Sequence, residues 1–338
     1  MRLVQLQAGE KRAVAVVEEP ALRILRGFES VYALALAAIQ RGERLPALVN
    51  ENRSEEVLDY DAIYEGKRAG QSKGAWQLLP PLDHPEEPAR CIVSGTGLTH
   101  LGSASNRNAM HDRGERELTD SMKMFRWGVE GGRPAPNAIG VAPEWFYKGN
   151  GLSLRAHGEP LPIPSYAEDG GEEAEMAALY IIGRDGQPFR VGMAPGNEFA
   201  DHQFETKNYL NLAGSKLRAC SLGPELNVEP EFQSVPGKVG IERGGSVLWS
   251  REIATGEDEM CHSLRNLEHH HFKFALHRRP GDVHVHFLGA HSLSFGDGIL
   301  LRDGDVMEVS FEGFGRALRN PVSIESRADT PLAVRSLA

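Results

Sequence analysis

Apolar positions change their spacing near residue 90, and the change divides the chain. Ahead of it, 13-AVAVV-17 reads as a short strand. The stretch 27-GFESVYALALAAIQRG-42 is apolar at helical spacing, and Pro20 suits a helix start, so the pattern predicts a helix over about Pro20–Arg41. The proline-rich, acidic 76-WQLLPPLDHPEEPAR-90 reads as a linker. From Cys91 on, short apolar runs bounded by Gly, Pro, Asn and Asp follow one another, among them 176-MAALYIIG-183, 239-VGIERGGSVLW-249 and 305-DVMEVSFEGFG-315. Such spacing signals a mainly β sandwich or barrel. Two helical stretches interrupt it. Residues 104–130 carry a mixed, charged pattern, and residues 256–278 place Met260, Leu264, Leu267 and Phe274 on one face. The expected fold class is α+β: a small αβ N-terminal domain over residues 1–85, then a mainly β domain over 91–330.

Composition narrows the partners. A net charge of −10 and a pI of about 5.7 argue against nucleic acid or an anionic membrane, since either needs a basic face. The longest apolar runs, such as 31-VYALALAAI-39, are too short to span a bilayer, and the N-terminus lacks an apolar leader core. Cys91, Cys220 and Cys261 are scattered and odd in number, which suits a reducing cytoplasm rather than a disulfide framework.

The chemistry starts at 169-DGGEEAEMAALYIIGRDG-186. On a strand Glu173 and Glu175 share a face and Glu172 points the other way. Two carboxylates side by side at the mouth of an apolar core repel each other, and a divalent cation relieves that directly. Oxygen donors select a hard ion: Mg²⁺, or Mn²⁺ or Ca²⁺. One hairpin downstream, 196-GNEFADHQFE-205 adds Glu198, and Lys216 follows eighteen residues later. Three carboxylates and a lysine at strand ends suit a metal-plus-anion site.

Other features point less sharply. His269, His270 and His271 lie in a helical stretch where neighbours diverge by about 100°, so they suit a solvated or packed face rather than a chelate. His284 and His286 share a strand face and line either the cavity or a polar sheet surface. In 95-GTGLTHLG-102 the glycines are misplaced for a dinucleotide cradle, and the His100/Ser103 pair has no acidic partner for a serine nucleophile. The charged 104–130 stretch, with Arg107, is a candidate lid or a surface helix. Lys148 follows the aromatic run 145-WFY-147 and either anchors the edge of the cavity or snorkels.

In order along the chain, 143-PEWFYKGNGLSL-154, 161-LPIPSYAEDGGEEAEMAALYIIG-183, 196-GNEFADHQFE-205, the 215-SK and LGP-224 segments, 280-PGDVHVHFLGA-290 and 300-LLRDGDVMEVSFEGFGRALRNPV-322 resemble motifs of the fumarylacetoacetate hydrolase superfamily over roughly residues 91–325. The segment GTGLTHLGSA at 95–104 is similar to the sugar-acid branch, which resembles 2-keto-3-deoxy-pentonate (arabonate) dehydratases. The resemblance implies a divalent metal on Glu173, Glu175 and Glu198, with Glu198 in place of the usual Asp and Asp201 as its competitor. It implies that Lys216 neutralises substrate oxygen charge. Near Ala290 the family has a threonine that contacts substrate carboxylate, and Ser292 stands in. The water-activating histidine of hydrolase members falls on Ser103, with no glutamate after it.

What this implies is a cytoplasmic, homodimeric enzyme that binds a small anionic 2-keto acid. The reaction expected is Mg²⁺-dependent dehydration of a 2-keto-3-deoxy sugar acid through an enolate, giving a 2-keto semialdehyde. Proton transfer falls to Lys216, His100 or His202, and Lys148, Ser103, Arg107, Ala290 and Ser292 are the expected substrate contacts. C–C hydrolysis of an acylpyruvate or a 2,4-diketo sugar acid is the alternative enzyme, and a non-catalytic sugar-acid-binding protein the alternative class.

Overall fold

The structure, a computed structural model, describes residues 1–66, 75–102, 119–326 and 330–337. The first segment forms β1 (Arg2–Ala8), β2 (Lys11–Glu18), β3 (Ala21–Leu25), α1 (Val31–Arg41), α2 (Leu45–Glu51), β4 (Arg53–Asp59) and α3 (Tyr60–Gly66). Next come β5 (Gln77–Leu78), β6 (Cys91–Gly97), α4 (Asp120–Gly131), β7 (Glu144–Asn150), β8 (Leu154–Arg155), β9 (Leu161–Ile163), β10 (Ala174–Ile182) and β11 (Pro188–Asn197). The chain ends through α5 (His202–Lys207), α6 (Leu212–Lys216), β12 (Cys220–Leu222), β13 (Leu226–Asn227), β14 (Val235–Arg243), β15 (Ser246–Thr255), α7 (Leu264–Phe272), β16 (Val283–Ala290), β17 (Val306–Phe311) and β18 (Leu318–Ile324).

Two sheets organise these elements. The larger runs β4-β3-β2-β1-β13-β11-β10-β16-β6-β7, with β5, β8 and β12 attached, and the smaller runs β15-β14-β17-β18-β9. The class is the expected α+β, mainly sheet. At the centre, every residue of β10 is buried. Ala177, Leu179 and Ile181 join a core with Leu34 and Ala35 of α1, while Met176, Ala178 and Tyr180 join one with Val239, Val309 and Leu267. Burial on both faces explains why this strand reads as a continuous apolar run rather than an alternating one. The larger sheet also crosses the expected domain boundary, since Arg2 and Leu3 pair with Asn227 and Leu226. The proline-rich stretch before Cys91 packs as well: Leu78 pairs with Leu6, and Leu78 and Leu82 are fully buried.

Two helices differ from expectation. Residues 21–25 form β3, hydrogen-bonded on both sides to β2 and β4, and the helix begins only at Val31. Gly27, at φ +77°, turns the chain, and Ser30 caps the helix by accepting from the Ala33 N–H. The second helix covers Leu264–Phe272, capped by Ser263, rather than 256–278. Gly256, at φ +106°, precedes it in the left-handed region, Met260 makes a β-bridge with His100, and Phe274 is exposed. The expected 104–130 helix is described only over its second half, as α4; Ser103 and Arg107 lie outside the described residues. Among the described residues no helix is long and apolar enough to cross a membrane.

Of the histidines of α7, His269 is exposed while His270 and His271 pack, the packed face of the expectation. His271 is buried; its Nδ1 accepts from Trp145 Nε1 at 3.2 Å, so its Nε2 carries the proton that meets His284 Nδ1 at 2.9 Å. His286 pairs with Ser94 Oγ at 2.9 Å. His284 and His286 therefore face α7 and are not among the described residues lining the cavity below.

Candidate metal centre and cavity

Antiparallel pairing of β10 with β11 sets Ala174 opposite Asn197 and so brings the residues flanking that pair together. The Glu198 N–H donates to the Glu173 carbonyl at 2.9 Å, and the Asn197 side-chain oxygen accepts from both the Glu173 and Phe199 amides. Phe199 sits at φ +26°, an uncommon conformation for a bulky residue, held where Lys148 Nζ binds its carbonyl at 2.5 Å. The outcome is convergence: carboxylate oxygens of Glu173, Glu175 and Glu198 all lie within 4.8 Å of one another, and all three residues are buried.

Their surroundings are unequal. Lys216 Nζ bonds both Glu173 Oε1 and, at 2.6 Å, Glu198 Oε2. Lys148 Nζ lies 2.7 Å from Glu198 Oε1, and His202 Nε2 meets Glu173 Oε1 at 2.9 Å. Glu175 receives only a backbone N–H, from Gly289 at 2.7 Å, among the bonds described. Burial alone would raise all three carboxyl pKa values. For Glu173 the charges of Lys216 and His202 outweigh burial and hold it well below the usual range. Glu175 is pushed well above that range by burial and by the charges of Glu198 and Glu173. Glu198 rises to about 7, with burial and Glu173 prevailing over the two lysines. Lys216 loses from burial but is held firmly charged by Glu173 and Glu198.

Three converging oxygen donors with more negative charge than two ammonium groups balance fit a hard divalent cation. Glu173, Glu175 and Glu198 are the residues that could hold it. Asp201 is not part of this set. It caps α5 through the Phe204 N–H, accepts from the Glu168 N–H and forms a buried ion pair with Arg218 at 3.1 Å.

Of the three carboxylates, Glu173 lines a cavity of about 920 Å³, with Glu175 and Glu198 buried beside it. Among the expected site residues, Glu173, His202, Lys216, Ala290 and Ser292 line it. His100 does not: its Nδ1 is hydrogen-bonded to Thr99 and its Nε2 to Thr255, and burial lowers its pKa to about 3. It is thus a neutral structural histidine rather than a proton-transfer group. Lys148 is buried too deeply to contact substrate from the edge and instead holds Glu198 and the Phe199 and Lys216 carbonyls. Glu172, which points away from the metal donors, is fully buried and accepts both the Ser294 N–H and hydroxyl at 2.7 Å. That anchors the loop after β16, one wall of the cavity.

Several lining residues escape a reading of the sequence. Glu144 faces the cavity and takes a hydrogen bond from Tyr209 Oη at 2.9 Å. Glycine at position 97 leaves room for this carboxylate, since a Cβ there would sit 1.9 Å from Glu144 Oε1 and push the side chain aside. Glu144 does have a signal in the sequence: Glu144, Phe146 and Lys148 alternate with Trp145 and Tyr147, so all three share the buried face of β7. Arg251 of β15 and Asp297 also line the cavity, with no local signal.

No family model matches the chain, and no curated protein does. Solved structures match over nearly the whole length. A 2-keto-3-deoxy-D-arabinonate dehydratase complexed with magnesium and 2,5-dioxopentanoate is 19% identical with a TM-score of 0.70, over 97% of this chain and 100% of that one. A 5-carboxymethyl-2-hydroxymuconate delta-isomerase from Mycobacterium smegmatis is 15% identical with a TM-score of 0.58, over 96% and 100%. A 2-hydroxyhepta-2,4-diene-1,7-dioate isomerase from Mycobacterium marinum is 14% identical with a TM-score of 0.59, over 97% and 100%. At such identities the likeness shows a shared fold, the one the motif resemblance implied.

Proposed function

We propose that the chain is a divalent-metal-dependent enzyme of the fumarylacetoacetate hydrolase superfamily that dehydrates a 2-keto-3-deoxy sugar acid. The observation that carries this reading is the convergence of Glu173, Glu175 and Glu198 beside Lys216, with Glu173 and Lys216 lining one cavity. The fold shared with a dehydratase whose structure contains magnesium and 2,5-dioxopentanoate supports it.

Glu173, Glu175 and Glu198 would hold the ion, with Mg²⁺ the preferred choice. When bound, it would supply a Lewis acid that stabilises negative charge developing on a 2-keto oxygen. Lys216, kept protonated by its carboxylate neighbours, offers a fixed positive charge to a substrate oxygen and is no base. Lys148 holds Glu198 in place from below. Glu144, which lines the same cavity as Glu173, would take the C3 proton on a carboxylate oxygen and return it to the departing C4 hydroxyl, which leaves as water. Tyr209 orients it from Oε2, and His202 orients Glu173.

The test is an NMR product assay with Mg²⁺ and 2-keto-3-deoxy-pentonate. A 2-keto semialdehyde is expected, and Glu144→Gln is expected to slow its formation by about 10²–10⁴-fold. Released pyruvate would instead assign C–C cleavage. Tight binding with no turnover would assign a sugar-acid-binding protein.

A further inference from the structure

The reading above places the 2-keto acid head at the carboxylate cluster and says nothing of the other end of the substrate. We propose, resting on that reading, that Arg251, Asp297 and Ser292 form a distal subsite that accepts an uncharged hydroxyl tail and rejects a second carboxylate.

The wall that carries these residues is built rather than incidental. Ser292 lies two residues past Ala290, which pairs with Glu175 across the sheet. Arg251 reaches over from β15, donating from Nη1 to Ser292 Oγ at 2.9 Å and from Nη2 to Asp297 Oδ2 at 2.7 Å. Trp249 Nε1 donates to the same Asp297 oxygen at 2.8 Å, and its ring lies 5.8 Å from the guanidinium carbon. Between Ser292 and Asp297, Ser294 is clamped to the buried carboxylate of Glu172. The loop is therefore fixed at its middle by Glu172, the residue next to Glu173 of the carboxylate cluster.

An unpaired arginine in such a cavity would bind a second carboxylate through its fork of donors. Arg251 is not in that state, because Asp297 already matches its charge. The other Lys or Arg among the described lining residues, Lys216, lies at the head-group end, bonded to Glu173 and Glu198. Glu144 and Glu205 add negative charge to the same walls, whereas Asp120 is 76% exposed and contributes little through solvent. A second carboxylate would thus meet an arginine whose charge Asp297 already matches, with Glu144 and Glu205 on the same walls. A hydroxyl, both donor and acceptor, can give its proton to Asp297 and accept an N–H from Arg251, so it matches the pair that is present. Arg251 and Asp297 are each 37% exposed at the side chain, which leaves them reachable from the cavity and moderates the expected effect.

The experiment is calorimetric binding to the Mg²⁺-loaded protein, using matched ligands that carry no C4 hydroxyl to eliminate. These are 2-oxoglutarate and 2-oxoadipate, their ω-hydroxy analogues, and pyruvate as the head group alone. Each affinity is divided by that of pyruvate for the same protein. The wild type is expected to favour the ω-hydroxy acid of a pair over the diacid by about tenfold. Asp297→Asn frees the guanidinium and should tighten the diacid by about tenfold. Arg251→Gln should reduce the hydroxyl preference to within about threefold. A wild-type preference for the diacid, or ratios unmoved in both variants while pyruvate still binds, would overturn the subsite. Failure of pyruvate to bind with Mg²⁺ would instead remove the head-group reading, and the subsite with it.

Discussion

At the scale of single residues, the cluster of three carboxylates was legible because its spacing carries chemistry. Glu173, just ahead of β10, and Glu175 within it are two residues apart, and Glu198 follows one hairpin later. What the sequence could not settle was Glu198 against Asp201, three residues apart in one loop. The structure separates them by their bonds: Asp201 is committed to Arg218, to the Glu168 amide and to a helix cap. The two should therefore fail differently. Glu173→Ala is expected to weaken Mn²⁺ or Mg²⁺ binding by more than about 100-fold, beyond the range seen when an outer partner is lost. Asp201→Asn should leave metal affinity within about threefold while costing about 3–5 kcal/mol of stability, because it strands a buried guanidinium. Metal titration and thermal melts on the same two variants read both effects, and equal metal affinities would refute the donor set. Glu172 shows why the rest was hidden: its partner Ser294 is 122 residues away, so local pattern marks it only as the glutamate on the other face.

At the scale of elements, periodicity found the strands but misjudged what decides a helix. The segment 21-ALRIL-25 is short and apolar, and only its two sheet neighbours make it a strand. The triple histidine of α7 suits either a solvated or a packed face from its sequence, and β16 decides for packing at His271 by supplying His284 and His286 beneath it. That docking has a pH consequence. Burial lowers the pKa of His271 well below the ordinary value, with neighbouring histidines adding to it, and lowers those of His284 and His286 to about 3. These groups stay neutral in the fold but take up protons in the unfolded chain near pH 6.5. Their contribution is therefore intact above pH 6.5 and is lost as the pH falls from there toward about 3. At pH 5.5 each depressed histidine is expected to cost about 1 kcal/mol of stability relative to pH 7.5. Denaturant unfolding at the two pH values measures this slope. His286→Asn, which keeps an acceptor for Ser94, should flatten it, and an unchanged slope would mean that other groups set the acid sensitivity.

At the scale of the whole molecule, the texture change near residue 90 was legible, and the sheet that runs across it was not, because pairing of Leu3 with Leu226 leaves no local trace. The N-terminal segment is more than an appendage to the site. Leu3, Val14, Val16, Leu34 and Ala35 lie in one core with Ala177, Leu179, Ile181, Val283 and Val285, and α1 lies against β10. Removing the segment would uncover the last five, on the strands that carry Glu175 and Gly289. At about 2 kcal/mol for each buried aliphatic side chain, exposing them would cost about 8–10 kcal/mol. That is comparable with the whole stability of an ordinary fold, about 5–15 kcal/mol. The two segments are therefore expected to unfold together, giving one calorimetric transition in the intact chain. A chain of residues 91–338 alone should lack a cooperative melt and bind Mg²⁺ weakly. Two resolved transitions, or a truncated chain that melts cooperatively and keeps its metal affinity, would show that the shared core does not couple the N-terminal strands to the metal centre.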